Sequence, residues 1–317
     1  MEKALKPCKI SVIIITRNRA EALEKISLPS LLNQTFKDFE VIVWDASDND
    51  SSAEVVKRFP QLNIRYFKAP RLGTCSQRND AVKVTQGEII YFIDDDSELS
   101  PDALEAIYET LSSGGLAGCS PPVQEKSPPE SRGLKGFALN LFSQVFLLGR
   151  MGRRNLVLKS GQTNWSIHDI PGETQILHGN SMAYKRSVFQ NLSFDEDMEK
   201  LGGWAADEDA MFSFNLSSKG KKLAILEKGG VIHHHVTGVR AEDIRLHAMG
   251  VFNRFLIWKK LIFPSNKTTL FHFFLSLKGA FIMGLLLLIV KGKPAPLKGF
   301  FLGLREIFTY WKTSQKN

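Results

Sequence analysis

Asp94-Asp95-Asp96 closes the apolar run Glu88 to Ile93. Three adjacent carboxylates repel one another unless a cation or a positively charged ligand balances them. Alternation along a strand sets Asp94 and Asp96 on one face and Asp95 on the other. That spacing suits one divalent cation, Mn2+ or Mg2+, holding a diphosphate; the alternative is a solvated acidic turn ahead of a helix near Pro101-Asp102. Asp45 ends another apolar run, where a carboxylate accepts hydrogen bonds from a nucleobase N–H or from ribose hydroxyls. Ser47 and Asp48 behind it read as helix caps. Arg78, with Asn79, is placed to brace Asp94 or to touch a phosphate, a solvated arginine being the plainer alternative.

Two further constellations carry candidate chemistry. Gly202-Gly203-Trp204-Ala-Ala-Asp207-Glu208-Asp209 precedes the apolar helical run Ala210 to Phe214. A helix dipole favours acids at that end. Asp209 falls deepest in the run, however, and suits a general base beside an acceptor hydroxyl, with Glu208 as the alternative base. The triple His233-His234-His235 lies on an expected strand, Val231 to Val236. Alternation pairs His233 with His235, either of which suits a metal ligand or a structural role.

These residues need a scaffold that gathers them. Ile10 to Ile15, Phe39 to Trp44, Leu62 to Phe67 and Glu88 to Ile93 are β-rich runs, with helical patterns near 20–33, 52–59 and 73–86 between them. Near-continuous apolar strands separated by helices predict a parallel sheet covered on both faces. Ligands bind such sheets beyond the carboxyl ends of the strands. Thr16-Arg17-Asn18-Arg19, Asp45 to Asp48 and Asp94 to Asp96 all follow such ends. From Ser120 to about Gly172 the alternation breaks down. A helical pattern at Leu134 to Leu148, flanked by basic Arg150 to Arg154, reads either as an insertion packed on the core or as a membrane-surface helix. Alternation resumes from Ile176 to about Ile232.

With 317 residues and 43% hydrophobic content, disorder as the main state is excluded. Cys8, Cys75 and Cys119 are too few and scattered for a disulfide framework or a thiolate zinc site. The first residues carry no apolar leader, so a cytoplasmic catalytic part is expected. The net charge of +8 is uneven: residues 238–317 hold 13 Lys and Arg against 3 Asp and Glu, while residues 1–237 hold 28 against 30. The same tail concentrates apolar residues, so it reads as a partner for an anionic membrane surface and not for nucleic acid. Its longest charge-free apolar run, Gly279 to Val290, falls short of the roughly 20 residues a spanning helix needs. Helices lying in the headgroup region are therefore expected, with contact to the catalytic part or to a second copy, a homo-oligomer, as the alternative.

Together the residues resemble the inverting family 2 glycosyltransferases with the GT-A fold. Ser11 to Arg19, Leu31 to Gln34, Val41 to Ser47, and Arg78-Asn79 running into Gly87 to Asp96 resemble the family's nucleotide-binding half. Gly179 to Arg186, Phe194 to Glu196 and Glu208-Asp209 resemble its acceptor half. The resemblance covers about residues 10–240. It implies an α/β, Rossmann-like, mostly parallel sheet flanked by helices, ahead of an amphipathic helical membrane-associated tail. Residues 1–240 would form the catalytic domain, divided at 119 and 175 into a nucleotide-sugar half, a variable acceptor-side insertion and a catalytic half, with 241–317 as the tail. It also implies sugar transfer from a nucleotide-diphosphate sugar to a lipid-linked or glycan acceptor in cell-envelope synthesis, at the cytoplasmic face of the membrane. The donor set would be Thr16, Arg17, Asn18, Arg19, Asp45, Ser47, Arg78, Asp94, Asp95 and Asp96. The acceptor set would be Trp204, Asp207, Gly179 and Asn180, the metal set Asp94, Asp96, His233 and His235, and the base Asp209 or Glu208. A sugar-phosphate nucleotidyltransferase would need a glycine-rich loop after the first strand, which Thr16 to Arg19 lacks. A non-catalytic sugar-binding scaffold would have no use for acids at 96 and 209.

Overall fold

The computed structural model describes residues 8–125, 134–149, 155–166, 169–236 and 243–314. The basic segment 150–154 expected beside the insertion helix lies outside them. Strands β1 (Ile10–Thr16), β2 (Phe39–Asp45), β3 (Ile64–Lys68) and β4 (Ile89–Asp94) form the parallel half of an eight-stranded sheet. The sheet continues beyond β4 through strands Ser181–Lys185, Gly118–Ser120, Leu223–Ile225 and Gly172–Thr174. Ser181–Lys185 runs antiparallel to both of its neighbours, so the sheet is mixed on that side. Alternate side chains of β1 enter opposite cores: Ile13 packs on one face, while Ile10, Val12 and Ile14 pack on the other. Burial on both faces is why the run reads as continuously apolar.

Register brings the polar ends together. β1 pairs Thr16 with Asp45 of β2 and Ile15 with Asp94 of β4. Strand Val231–His233 pairs with Ser97–Leu99, setting His233 opposite Ser97, one residue beyond Asp96. The strand ends at His233, and His235 has a left-handed backbone at φ 52°. The expected Val231 to Val236 strand is therefore shorter, and strand alternation does not pair His233 with His235.

The helices after 243 share the main core. Helix Asp243–Ile257, continued by a π turn at Trp258–Ile262, buries Val251, Phe252, Phe255, Leu256, Ile257 and Trp258. They belong to the same cluster as Ile13, Phe92 and Phe212. Each buried side chain of this size contributes roughly 1.5–3 kcal/mol. A chain ended between 240 and 249 would lose these side chains and leave the part of the core they cover exposed. Helix Thr269–Lys291 is continuous over 23 residues and, by length and composition, apolar enough to cross a membrane. Lys278 and His272 do not interrupt it, which corrects the expectation that the run is too short. It packs Phe273 and Leu277 into the core cluster and sets Gly284 against Leu297 of helix Ala295–Ser314.

Candidate active site

The three acids do not continue one strand. β4 ends at Asp94, and Asp95-Asp96 form a turn into Ser97–Leu99. The turn, and not strand alternation, sends Asp95 away from Asp94 and Asp96. Asp95 is buried and accepts from Thr16 Oγ1 at 2.6 Å, with Arg19 Nη1 3.0 Å away. Burial pushes its carboxyl up to about 7 against the opposing pull of Arg19 and Thr16. Asp96 is also buried, and its Oδ2 accepts from Arg19 Nη2 and from the Val236 N–H at 2.9 Å. Burial alone would raise the Asp96 carboxyl; His233 and Arg19 outweigh it and hold it well below the usual carboxylate range.

A divalent cation fits here. Asp94, Asp96 and His233 each offer one ligand atom, all within 4.8 Å of one another. Asp96 Oδ1 accepts no full hydrogen bond and faces His233 Nε2 at 3.4 Å. With Oδ2 held by Arg19 and Val236, Oδ1 is the oxygen left to bind a metal. His235 is not in this group, although its ring lies 4.0 Å from that of His233. His234 is directed to Glu98, 2.6 Å away.

Asp45 stands at the end of β2 as expected, fully buried, accepting from Ser47 N at 2.8 Å, from Ser47 Oγ and from Tyr66 OH at 2.8 Å. Ser47 and Asp48 do not cap helix Ser51–Lys57, whose N-cap is Asp50. They join the loops after β1 and β2 instead: Asn18 N donates to Ser47 Oγ at 2.7 Å, and Asn18 and Asp48 exchange two bonds of 2.6 and 2.9 Å. Arg17 lies 3.9 Å from Asp48, on the same rim.

Arg78 links the end of β4 to helix Glu208–Ser217. Its buried guanidinium pairs with Glu208, lies 4.0 Å from Asp94 Oδ1 and donates to Gly179 O at 3.3 Å. Glu208 is thus buried deeper than Asp209, contrary to the expectation that Asp209 sits deepest. Burial pushes Glu208 up to about 8, with Arg78 opposing and the Asp209 charge adding to the rise. Asp209 is half-buried and accepts from Gly179 N at 2.6 Å. A Cβ at Gly179 would come 3.0 Å from Asp209 Oδ2 and 3.3 Å from Arg78 Nη2, so a larger residue would press on both side chains. Asn180, next in the chain, has a buried Oδ1 with no hydrogen-bond partner among the described residues. Trp204 is 43% exposed on the adjacent loop. Asp207 accepts from Thr163 Oγ1 at 2.8 Å, and burial followed by the Asp209 charge pushes it up to about 6.

Several residues that position this site carry no sequence signal. Glu199 accepts from Cys75 N and Ser76 N at the head of helix Thr74–Val84, and Gly73 leaves room for it. Fully buried Asn253 donates to Met198 O at 3.2 Å and to Ala206 O at 2.8 Å, tying both ends of the loop that leads into Asp207. Asn253→Leu is expected to destabilise the chain by about 1–3 kcal/mol, because the Met198 and Ala206 carbonyls lose their donor, the first of them buried. Urea unfolding checks this, and an unchanged midpoint would contradict it.

The glycosyl transferase family 2 profile matches residues 11–192. A GalNAc(5)-diNAcBac-PP-undecaprenol beta-1,3-glucosyltransferase of Campylobacter jejuni is 36% identical over 110 residues, 33% of this chain and 35% of that one. This chain therefore aligns with about a third of that relative's length. A cholesterol galactosyltransferase of Borreliella burgdorferi is 24% identical over 299 residues, 89% of this chain and 78% of that one. Among solved structures, the mannosyltransferase PcManGT from Pyrobaculum calidifontis, in complex with GDP-Man and Mn2+, is similar with a TM-score of 0.53 and 16% identity over 94% of this chain and 86% of that one. This likeness is one of fold, the GT-A arrangement of sheet and helices.

Proposed function

The chain belongs to glycosyl transferase family 2, and from that premise we propose that it transfers a sugar from a nucleotide-diphosphate sugar to an acceptor hydroxyl in a single displacement with inversion. The observation that carries this reading is the convergence at one sheet end of Asp94, Asp96 and His233 with Asp209, joined through Arg78 and Gly179. Asp45 and Ser47, with Thr16 to Arg19, form the nucleotide side; Trp204, Asp207, Gly179 and Asn180 form the acceptor side. A bound Mn2+ or Mg2+ supplies positive charge that offsets the charge growing on the departing diphosphate. Asp209 takes the acceptor proton as the acceptor oxygen bonds to the anomeric carbon and the bond to the diphosphate breaks. Gly179 N–H fixes the orientation of that carboxylate. The Campylobacter relative is named for an undecaprenol-linked substrate and the Borreliella relative for cholesterol, which supports a lipid-borne acceptor and a role in envelope glycolipid or polysaccharide synthesis. Incubation with Mn2+ or Mg2+ and a panel of nucleotide sugars tests the reading. Release of nucleoside diphosphate from one donor, lost with chelator, is expected; no release from any donor would refute it.

The tail is assigned to the membrane, lying on its cytoplasmic face. Phe271, Phe274, Ile289, Val290, Phe301 and Phe308 are exposed, each by more than half of its surface, among exposed Lys278, Lys291, Lys293, Lys298 and Arg305. Apolar side chains flanked by basic ones suit the headgroup region of an anionic bilayer. A helix with one side already packed into the core is placed better on a membrane than through it. Replacing Phe271, Phe274, Ile289 and Val290 with Glu in the full chain should abolish flotation with phosphatidylglycerol vesicles. Undiminished flotation would remove the tail as the anchor, and a loss of dimers in its place would make the surface an oligomer contact.

A further inference from the structure

We infer that helix Leu134–Val145 is a second lipid-contacting element, set between the apolar helix Thr269–Lys291 and the acceptor side, so that the bilayer surface lies beside the entrance for the acceptor. The inference rests on the membrane reading of the tail. Residues 136–149 contain no charged residue, yet Leu139, Leu141 and Val145 are 40%, 52% and 54% exposed. Scattered apolar exposure is ordinary, but a charge-free stretch of this length that joins a larger apolar surface is not. The join is direct: Phe146, paired with Phe142 at 4.6 Å, covers Gly279 so closely that a Cβ there would come 2.4 Å from Phe146 Cβ.

The residues directly after Phe146 reach the loop that leads into Asp207. Leu147 O accepts from Ser160 Oγ at 2.9 Å, and Gly149 abuts Thr163 O. Thr163 in turn donates to Asp207, two residues before Asp209. A short run of contacts therefore connects the segment that follows this helix to the loop carrying the candidate base. The basic residues that border the adjoining apolar surface favour an anionic bilayer as the occupant over an apolar patch of another protein.

Environment-sensitive fluorescence tests this in the full chain. The native cysteines are buried, so single substitutions Leu141→Cys, Ile289→Cys and, as an exposed control away from the tail, Lys57→Cys can each carry an NBD label. With vesicles of phosphatidylcholine and phosphatidylglycerol, a blue shift and quenching by spin-labelled lipid are expected at 141 and 289 and not at 57. A response at 289 with none at 141 overturns this inference and leaves the tail reading standing. Silence at both overturns the two together. A shift at 141 that needs no vesicles and grows with protein concentration would make a second copy the occupant and overturn it equally.

Discussion

Asp209→Asn should lower turnover by roughly 10²–10⁴-fold, the range for a lost general base, with donor binding little changed. Asn keeps an oxygen for the Gly179 N–H, so the loop has no reason to move. Glu208→Gln is the necessary companion because the two acids are adjacent and either could be read as the base from sequence. Glu208 is held by Arg78 beneath the site, and Gln preserves a hydrogen bond there, so turnover should stay within about tenfold. Near-normal turnover of Asp209→Asn together with a collapse in Glu208→Gln would exchange their roles. The comparison is a steady-state measurement of nucleoside diphosphate release at saturating donor.

Asp96→Asn should remove most metal-dependent donor binding. Loss of an outer partner to a metal ligand costs about 10–100-fold in affinity, and loss of a ligand itself should exceed that. Arg19 is such an outer partner: it fixes Asp96 Oδ2 and leaves Oδ1 toward His233. Arg19→Gln is therefore expected in the lower range and Asp96→Asn above it. His233→Ala should weaken binding more than His235→Ala, since His233 lies with Asp94 and Asp96 in the ligand group. Calorimetry with nucleoside diphosphate and Mn2+ reads all four variants, and unchanged affinity in Asp96→Asn would overturn the assignment.

Much of the donor half was legible because its physics is local. β1, β2 and β4 are buried on both faces, so each reads as an unbroken apolar run, and the acids that end them stand out by contrast. What escaped depends on contacts distant in sequence. Asp95-Asp96 is a turn because Ser97–Leu99 pairs with Val231–His233, more than 130 residues later. Asp48 looks like a cap until Asn18 is found opposite it. Glu208 lies deeper than Asp209 because Arg78, on a separate helix, draws it in. The tail reads as a separate module because its composition differs, yet Phe252 and Trp258 belong to the core that also holds Ala205 and Phe212. Asn253 has no pattern around it that would single it out, since the carbonyls of Met198 and Ala206, more than 40 residues earlier, give it its role.

The most direct test of the chemistry is the anomeric configuration of the sugar as it leaves the donor. With the donor identified by nucleoside diphosphate release, proton NMR during the first turnovers, before mutarotation, reads the anomer formed by transfer to acceptor or to water. A single displacement with Asp209 as base predicts the configuration opposite to that of the donor, and no sugar release from Asp209→Asn on the same timescale. Retained configuration would contradict it.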